Sequence, residues 1–203
     1  STAFSLRWEG KPPNDSAVKA ITTIFGKAPT GERLERIKRS PHYKNGRFEN
    51  LSVTPQITAE YSKWRVFYEF IFQKTPGRTP TGILPSIKTD LLHLPVDSNV
   101  LVWFGHSSYF MQIDGKRILV DPVLSGNASP VAGMIRSFKG TNIYSVADLP
   151  DIDYLFITHD HYDHLDYETI RKLKPKTGLA ICGLGVGSHL ENWGYDRSKI
   201  IEK

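Results

Sequence analysis

Between residues 158 and 166 the chain reads Thr158-His159-Asp160-His161-Tyr162-Asp163-His164-Leu165-Asp166, which places three of its seven histidines within six residues. Imidazoles and carboxylates gathered this closely are the donor set that suits zinc, iron or manganese. His159 and His161 are two apart, so in an extended turn both rings point toward one ion. Asp163 and His164 fall where the turn tightens toward a helix and aim at a position beside the first. One peptide thus supplies two ligands to each of two adjacent divalent ions, with zinc the first expectation and iron or manganese the others. The plainer alternative is a solvated polar turn, or histidines that cap a helix; the clustering argues against it.

The flanking sequence must position these groups. Residues 153–158 form a short apolar strand pattern ahead of the cluster. Asp166 is a fitting N-cap for a helix from about Tyr167 to Lys174, with Glu168 in its first turn, basic residues in its last and Pro175 as its stop. The histidines therefore sit at the carboxyl end of a strand, where α/β proteins bind ligands. Upstream, the apolar run Val100 to Phe104 is followed by Tyr109 to Ile113, the turn dipeptide Asp114-Gly115, and Arg117 to Val120, a strong hairpin signal. Downstream, Thr177 to Cys182 reads as a strand, and Gly183 to Gly187 as a turn into a short helix ending near Trp193-Gly194. Strands first, then strand–helix–strand, predict an α/β domain with a mixed sheet.

The first 98 residues read differently. Pro12-Pro13, Gly26, Pro29, Gly31, Pro41, Gly46 and Pro55 break residues 1–60 into irregular chain that wraps over a domain. Residues 61–73 contain no breaker. Tyr61, Trp64, Phe67 or Tyr68, and Ile71 recur at helical spacing, which predicts a helix with its aromatic stripe in the core. Residues 32–39 alternate acids and bases around Leu34 and Ile37, which suits a short solvated helix ended at Ser40-Pro41. The net charge of +5 is uneven: +6 over residues 1–100 and −1 over 101–203. That balance is compatible with an anionic or lipid-like substrate; nucleic-acid binding is not expected. Composition excludes collagen-like and wholly disordered chains. One cysteine, Cys182, excludes an internal disulfide. No apolar run approaches the roughly 18 residues of a membrane span, and residues 1–20 carry no signal-peptide pattern. The compartment expected is cytoplasmic or membrane-peripheral.

The motif His159-x-His161-x-Asp163-His164 resembles the signature of the metallo-β-lactamase-fold hydrolases. With the longer string from Ile157 to Asp166, Trp103-Phe104-Gly105-His106-Ser107-Ser108 and Ile118-Leu119-Val120-Asp121-Pro122, it is similar to one branch of them. That branch includes N-acyl-phosphatidylethanolamine-hydrolysing phospholipase D and the ascorbate-phosphate lactonase-like proteins. The resemblance covers residue 100 to the end and, more loosely, the aromatic helix and Arg47-Phe48-Glu49-Asn50. It implies that His159 and His161 bind a first metal and Asp163 and His164 a second. It also implies that Asp121 buttresses the ligand shell, and that His106 serves near the site through a structural hydrogen bond rather than as a ligand. Asp163 would also orient the water that attacks a phosphodiester, ester or lactone bond.

The family pattern further needs a histidine for the first metal, a bridging aspartate and a last histidine for the second, all C-terminal to the motif. His189 and Asp196 are the remaining candidate types, and His189 is read as a packing residue. Asp166 has a sufficient role as a cap; for Asp160, orienting a histidine and facing water both stay open. The family fold is a four-layer α/β/β/α sandwich, and residues 99–203 correspond to its first half. The remainder is expected from a C-terminal segment, a second chain or a dimer partner. The rival function is a catalytically incomplete fragment or interaction module that retains this half. Gly183-x-Gly185-x-Gly187 departs from a dinucleotide fingerprint, and Ser107-Ser108 lacks the elbow of a serine hydrolase.

Overall fold

The computed structural model describes residues 23–52, 54, 62–73, 76–77, 79–129, 133 and 135–203. Of the N-terminal wrap expected over residues 1–98, residues 1–22, 53, 55–61, 74–75 and 78 lie outside the described residues. The central feature is a six-stranded mixed sheet whose strands lie side by side in chain order. Its strands are β3 (Val100–Gly105), β4 (Ser108–Ile113), β5 (Lys116–Val120), β6 (Ile152–Ile157), β7 (Thr177–Cys182) and β8 (Ile200–Glu202). Pairing is antiparallel from β3 to β5 and parallel from β5 to β8. The β4–β5 turn is the expected Asp114-Gly115, with φ of 47° and 71°. Two residues in the left-handed region are what the twist of a tight hairpin requires.

Register separates the two faces of the sheet. Val102, Phe110, Leu119, Leu155, Ala180 and Ile200 pair in one row across all six strands. On this face lie the helices α3 (Tyr167–Leu173) and α4 (Gly187–Asn192). Ile170, Leu173 and Leu190 join Phe110, Leu119 and Leu155 in the core with no exposed surface. Each such side chain stabilises the fold by about 2 kcal/mol through burial. The opposite face carries the row Trp103, Tyr109, Val120, Phe156, Ile181 and Ile201. Here Trp103 is 69% and Leu101 66% exposed. That face is apolar from edge to edge and only partly covered.

The helix α3 begins as its sequence dictates. Asp166 caps it, accepting from the Glu168 amide at 3.2 Å. The same buried carboxylate accepts from the Ser125 amide and the Thr169 hydroxyl, and the Thr169 Oγ1 accepts from the Leu124 amide. The loop after β5 is thereby tied to the helix after β6.

Two N-terminal helices differ from expectation. The helix α1 (Gly31–Lys38) has the anticipated exposed Glu35–Lys38 pair at 2.8 Å. It is docked rather than merely solvated, because Arg33 bridges Glu191 at 2.9 Å and Glu202 at 2.7 Å. Ile37 is buried beneath it. A short hairpin follows, β1 (Tyr43–Lys44) and β2 (Arg47–Phe48), turned by Asn45-Gly46 at φ 54° and 80°. The helix α2 (Lys63–Phe72) forms where periodicity placed it, capped by Ser62. The described part of its aromatic stripe is not core: Trp64, Phe67 and Tyr68 are all exposed. The space against the sheet is filled by α3, α4 and Leu149, and no described α2 side chain joins that cluster. Tyr61 and the side chain of Ile71 lie outside the described residues.

Candidate metal centre

The site is assembled at the carboxyl ends of β5 and β6 and at the β3–β4 turn. Asp121 leaves β5 with φ 41°, a left-handed conformation that aspartate tolerates better than most residues. It is buried, and its backbone is fixed at both ends. Its amide donates to the Phe156 carbonyl at 3.0 Å, and its carbonyl accepts from the Ser108 hydroxyl at 2.5 Å. The Ser108 oxygen also accepts from the Val123 amide, so this serine is a buried brace and not a nucleophile.

The Asp121 carboxylate turns toward the histidine loop. It accepts from the Thr158 amide at 2.8 Å and the Thr158 hydroxyl at 2.6 Å. His164 Nδ1 lies 2.8 Å from its Oδ2. A carboxylate on Nδ1 places the proton there and leaves Nε2 with its lone pair free to coordinate, the usual arrangement behind a ligating imidazole. Thr158 had no sequence signal beyond its place at a strand end. The loop itself closes as a turn, with the amides of His164 and Leu165 donating to the His161 carbonyl at 3.0 and 2.8 Å.

Asp163 Oδ2 is 3.2 Å from His106 Nε2 and 3.8 Å from His164 Nε2. Donor atoms of His106, Asp163 and His164 all lie within 4.8 Å of one another, a spacing at which three ligands converge on one ion. His106 reaches this position because it occupies the β3–β4 turn at φ 46°, after Gly105 at φ 112°. Trp103 Nε1 donates to the His106 carbonyl at 3.0 Å and steadies that turn. The resemblance implies a structural hydrogen bond for His106 near the site, and its ring lies directly against Asp163. His159 and His161 pack ring to ring at 4.6 Å, and His159 lies 3.9 Å from the His164 ring. They adjoin the three-residue group without being part of it. Burial, then the neighbouring His164 and His161, holds the His159 imidazole below its ordinary value. The neutral ring is the form that coordinates.

The remaining candidates have local partners. His189 accepts from the Lys27 amide through Nδ1 at 3.2 Å and presents Nε2 to Asp160 at 3.9 Å. Asp160 lies beside a histidine of another element and is itself largely exposed to solvent. The glycine-rich turn holds a carboxylate of its own chain: the amides of Gly185 and Gly187 donate to Glu202 Oε1 at 2.8 and 3.2 Å. Asp196 caps a single 3-10 turn. The donor set of imidazoles and carboxylates, with Asp121 behind His164, fits a divalent ion of the zinc, iron or manganese type. Among the described residues no helix is long and apolar enough to cross a membrane.

Residues 116–202 match the family described as Beta-lactamase superfamily domain. The chain is 34% identical over 169 residues to the uncharacterized protein Rv0906 of Mycobacterium tuberculosis, covering 81% of this chain and 45% of that protein. Over 76 residues it is 34% identical to N-acyl-phosphatidylethanolamine-hydrolyzing phospholipase D 1 of Caenorhabditis elegans, covering 35% of this chain and 20% of that one. A UPF0173 metal-dependent hydrolase of Caldivirga maquilingensis is 37% identical over 65 residues, or 32% of this chain and 23% of its own. The chain thus spans less than half the length of these relatives. With the superfamily match over residues 116–202, the six-stranded mixed sheet and the helices on its inner face form a mixed α/β architecture consistent with the metallo-β-lactamase fold.

Proposed function

We propose that this chain carries the ligand-bearing first half of a metal-dependent hydrolase that cleaves a phosphodiester, ester or lactone bond. The observation that carries the reading is the convergence of His106, Asp163 and His164, with Asp121 bonded to the far nitrogen of His164. Similarity to a metal-dependent hydrolase and to a phospholipase D supports the reaction class. In the dinuclear form of this proposal, His159 and His161 hold one ion and Asp163 and His164 the other. His106 stands where it can serve the second. Zinc is the first choice of metal, with iron or manganese as alternatives.

A divalent ion in such a site polarises the substrate oxygen and lowers the pKa of a bound water. The chain's own residues supply the rest. Asp121 holds the His164 ring in one tautomer and one orientation. Asp163, partly open to solvent, offers Oδ2 as the acceptor toward which the proton of an attacking water points. His106 Nε2, adjacent to that oxygen, limits the directions in which the carboxylate can turn. The basic N-terminal half, +6 over residues 1–100, supports an anionic or lipid-like substrate.

The apolar outer face of the sheet, with Leu101 and Trp103 exposed, supports a partner layer. In this proposal a further segment, second chain or dimer partner covers that face and brings the remaining ligands. The same face favours the alternative reading, an interaction module without activity of its own. Metal analysis of the purified chain, with hydrolysis of bis-p-nitrophenyl phosphate as the activity readout, separates the two. Near-stoichiometric metal that is lost in His161→Ala supports the hydrolase. Absence of both metal and hydrolysis leaves the interaction module.

A further inference from the structure

The strands β6 and β7 are adjacent and parallel, so the loop after one and the helix after the other emerge side by side. The first carries the histidine motif, and the second carries His189 on α4. The glycine turn between β7 and α4 is held by Glu202, so α4 starts from a fixed point. From the other side, residues 23–30 lie along α4. Trp193 Nε1 donates to the Thr23 carbonyl at 2.7 Å, Ser188 Oγ to the Ala28 carbonyl at 3.3 Å, and the Lys27 amide to His189 Nδ1 at 3.2 Å. Gly26 takes φ 69°, and a Cβ there would collide with His189 Nδ1. The histidine is thus enclosed between its own helix and this strap.

Burial holds the His189 imidazole below its ordinary value, with Asp160 and the Phe25 backbone opposing. Nε2 faces Asp160 Oδ2 at 3.9 Å. His189 is the buried member, 15% exposed, and Asp160 the open one at 61%. The enclosed ring is therefore the fixed point and the carboxylate the group that is placed.

We propose that His189 is a positioning residue: clamped by the 23–30 strap, it holds its ring against Asp160 and so restrains the peptide between His159 and His161. A shift of the backbone at residue 160 moves both neighbouring imidazoles, since each is attached one residue away. Neither His189 nor Asp160 belongs to the His106–Asp163–His164 group. The consequence for metal binding rests on the function proposed above; the ordering of the loop does not.

The test uses the 203-residue protein with Asp160→Ala, His189→Ala and His189→Gln. The first is a change at an exposed side chain and should leave folding intact. Amide hydrogen exchange of residues 159–164, measured without metal, should accelerate about tenfold in Asp160→Ala and His189→Ala through easier local opening. Zinc affinity, measured by chelator competition, should weaken by about tenfold in both, as for partners behind a ligand. His189→Gln puts an amide nitrogen where Nε2 stood and should retain both properties within about threefold. The double variant Asp160→Ala/His189→Ala should be no worse than either single one, because the two act as a pair. Unchanged exchange in Asp160→Ala, or effects that simply multiply in the double variant, would overturn the proposal. If the wild type binds no zinc, the hydrolase reading fails, while the metal-free exchange data still decide the role of His189.

Discussion

His164 Nδ1 lies 2.8 Å from the buried Oδ2 of Asp121, a residue 43 positions earlier and at the end of another strand. This contact joins the two halves of the site and fixes which nitrogen of His164 is available. The Asp121 carboxylate takes three donors in all, two of them from Thr158. Asp121→Asn keeps the shape but turns one oxygen into an NH2 group that opposes one of these donors. Zinc affinity should fall about 10- to 100-fold. Stability should fall by about 1–3 kcal/mol, because a buried donor loses its acceptor. Chelator competition and urea unfolding measure the two effects; a variant that keeps wild-type affinity removes Asp121 from the site.

Asp163 permits a cleaner separation of binding from folding. Its side chain is 39% exposed, so Asp163→Ala should change metal-free stability by no more than about 0.5 kcal/mol. In the wild type, a divalent ion at 100 times its Kd adds about 2.7 kcal/mol by linkage. The melting temperature should therefore rise with zinc, iron or manganese in the wild type and stay flat in Asp163→Ala. An equal rise in both would place the ion elsewhere.

Acid should weaken the metal-free protein through its buried histidines. Burial holds His189 below its ordinary value of 6.5, with Asp160 opposing, and His159 shifts the same way. The unfolded chain then binds the proton more readily than the folded one, so stability rises with pH across this interval. The contribution is whole above about pH 6.5 and is lost as pH falls through the depressed folded values. Urea unfolding at a series of pH values should show this slope, shallower in His189→Gln. Identical slopes in the two proteins contradict the assignment to His189.

Gly26 is a sensitive point of the strap. At φ 69° an alanine costs about 1–2 kcal/mol in backbone strain, and its methyl also displaces His189. Gly26→Ala should lose at least that much stability and detach residues 23–30 from α4. Faster exchange of the Lys27 amide reports the detachment. A variant as stable as the wild type would mean that the strap contributes nothing.

The outer sheet face should make the chain associate. Leu101 and Trp103 sit exposed on an apolar surface that runs across six strands. Soluble monomers rarely present such a patch. Sedimentation velocity should show concentration-dependent association that Leu101→Lys with Ile201→Lys reduces without loss of the inner core. Monomeric behaviour at all concentrations would argue against a partner layer.

Much of the architecture was legible because its signals are local. Alternating and continuous apolar runs marked β3 to β7, Asp114-Gly115 marked the hairpin, and Asp166 with Pro175 bounded α3. Such preferences act within a few residues and need no distant partner. The aromatic helix shows the limit. Periodicity placed α2 correctly but could not say whether its stripe meets the core, because that depends on whether α3 and α4 already fill the space.

The same division runs through the site. By itself the sequence determined that His159, His161, Asp163 and His164 share one loop at a strand end, since their spacing along the chain leaves them nowhere else to be. Tertiary structure alone decided that Asp121 locks His164 Nδ1, that His106 arrives against Asp163, and that His189 faces Asp160. Each of those contacts joins different strands or helices. Each depends on register, on a left-handed turn at residue 106 or 121, or on a strap packed over a helix. Those are properties of how elements pack, and no window of sequence contains them.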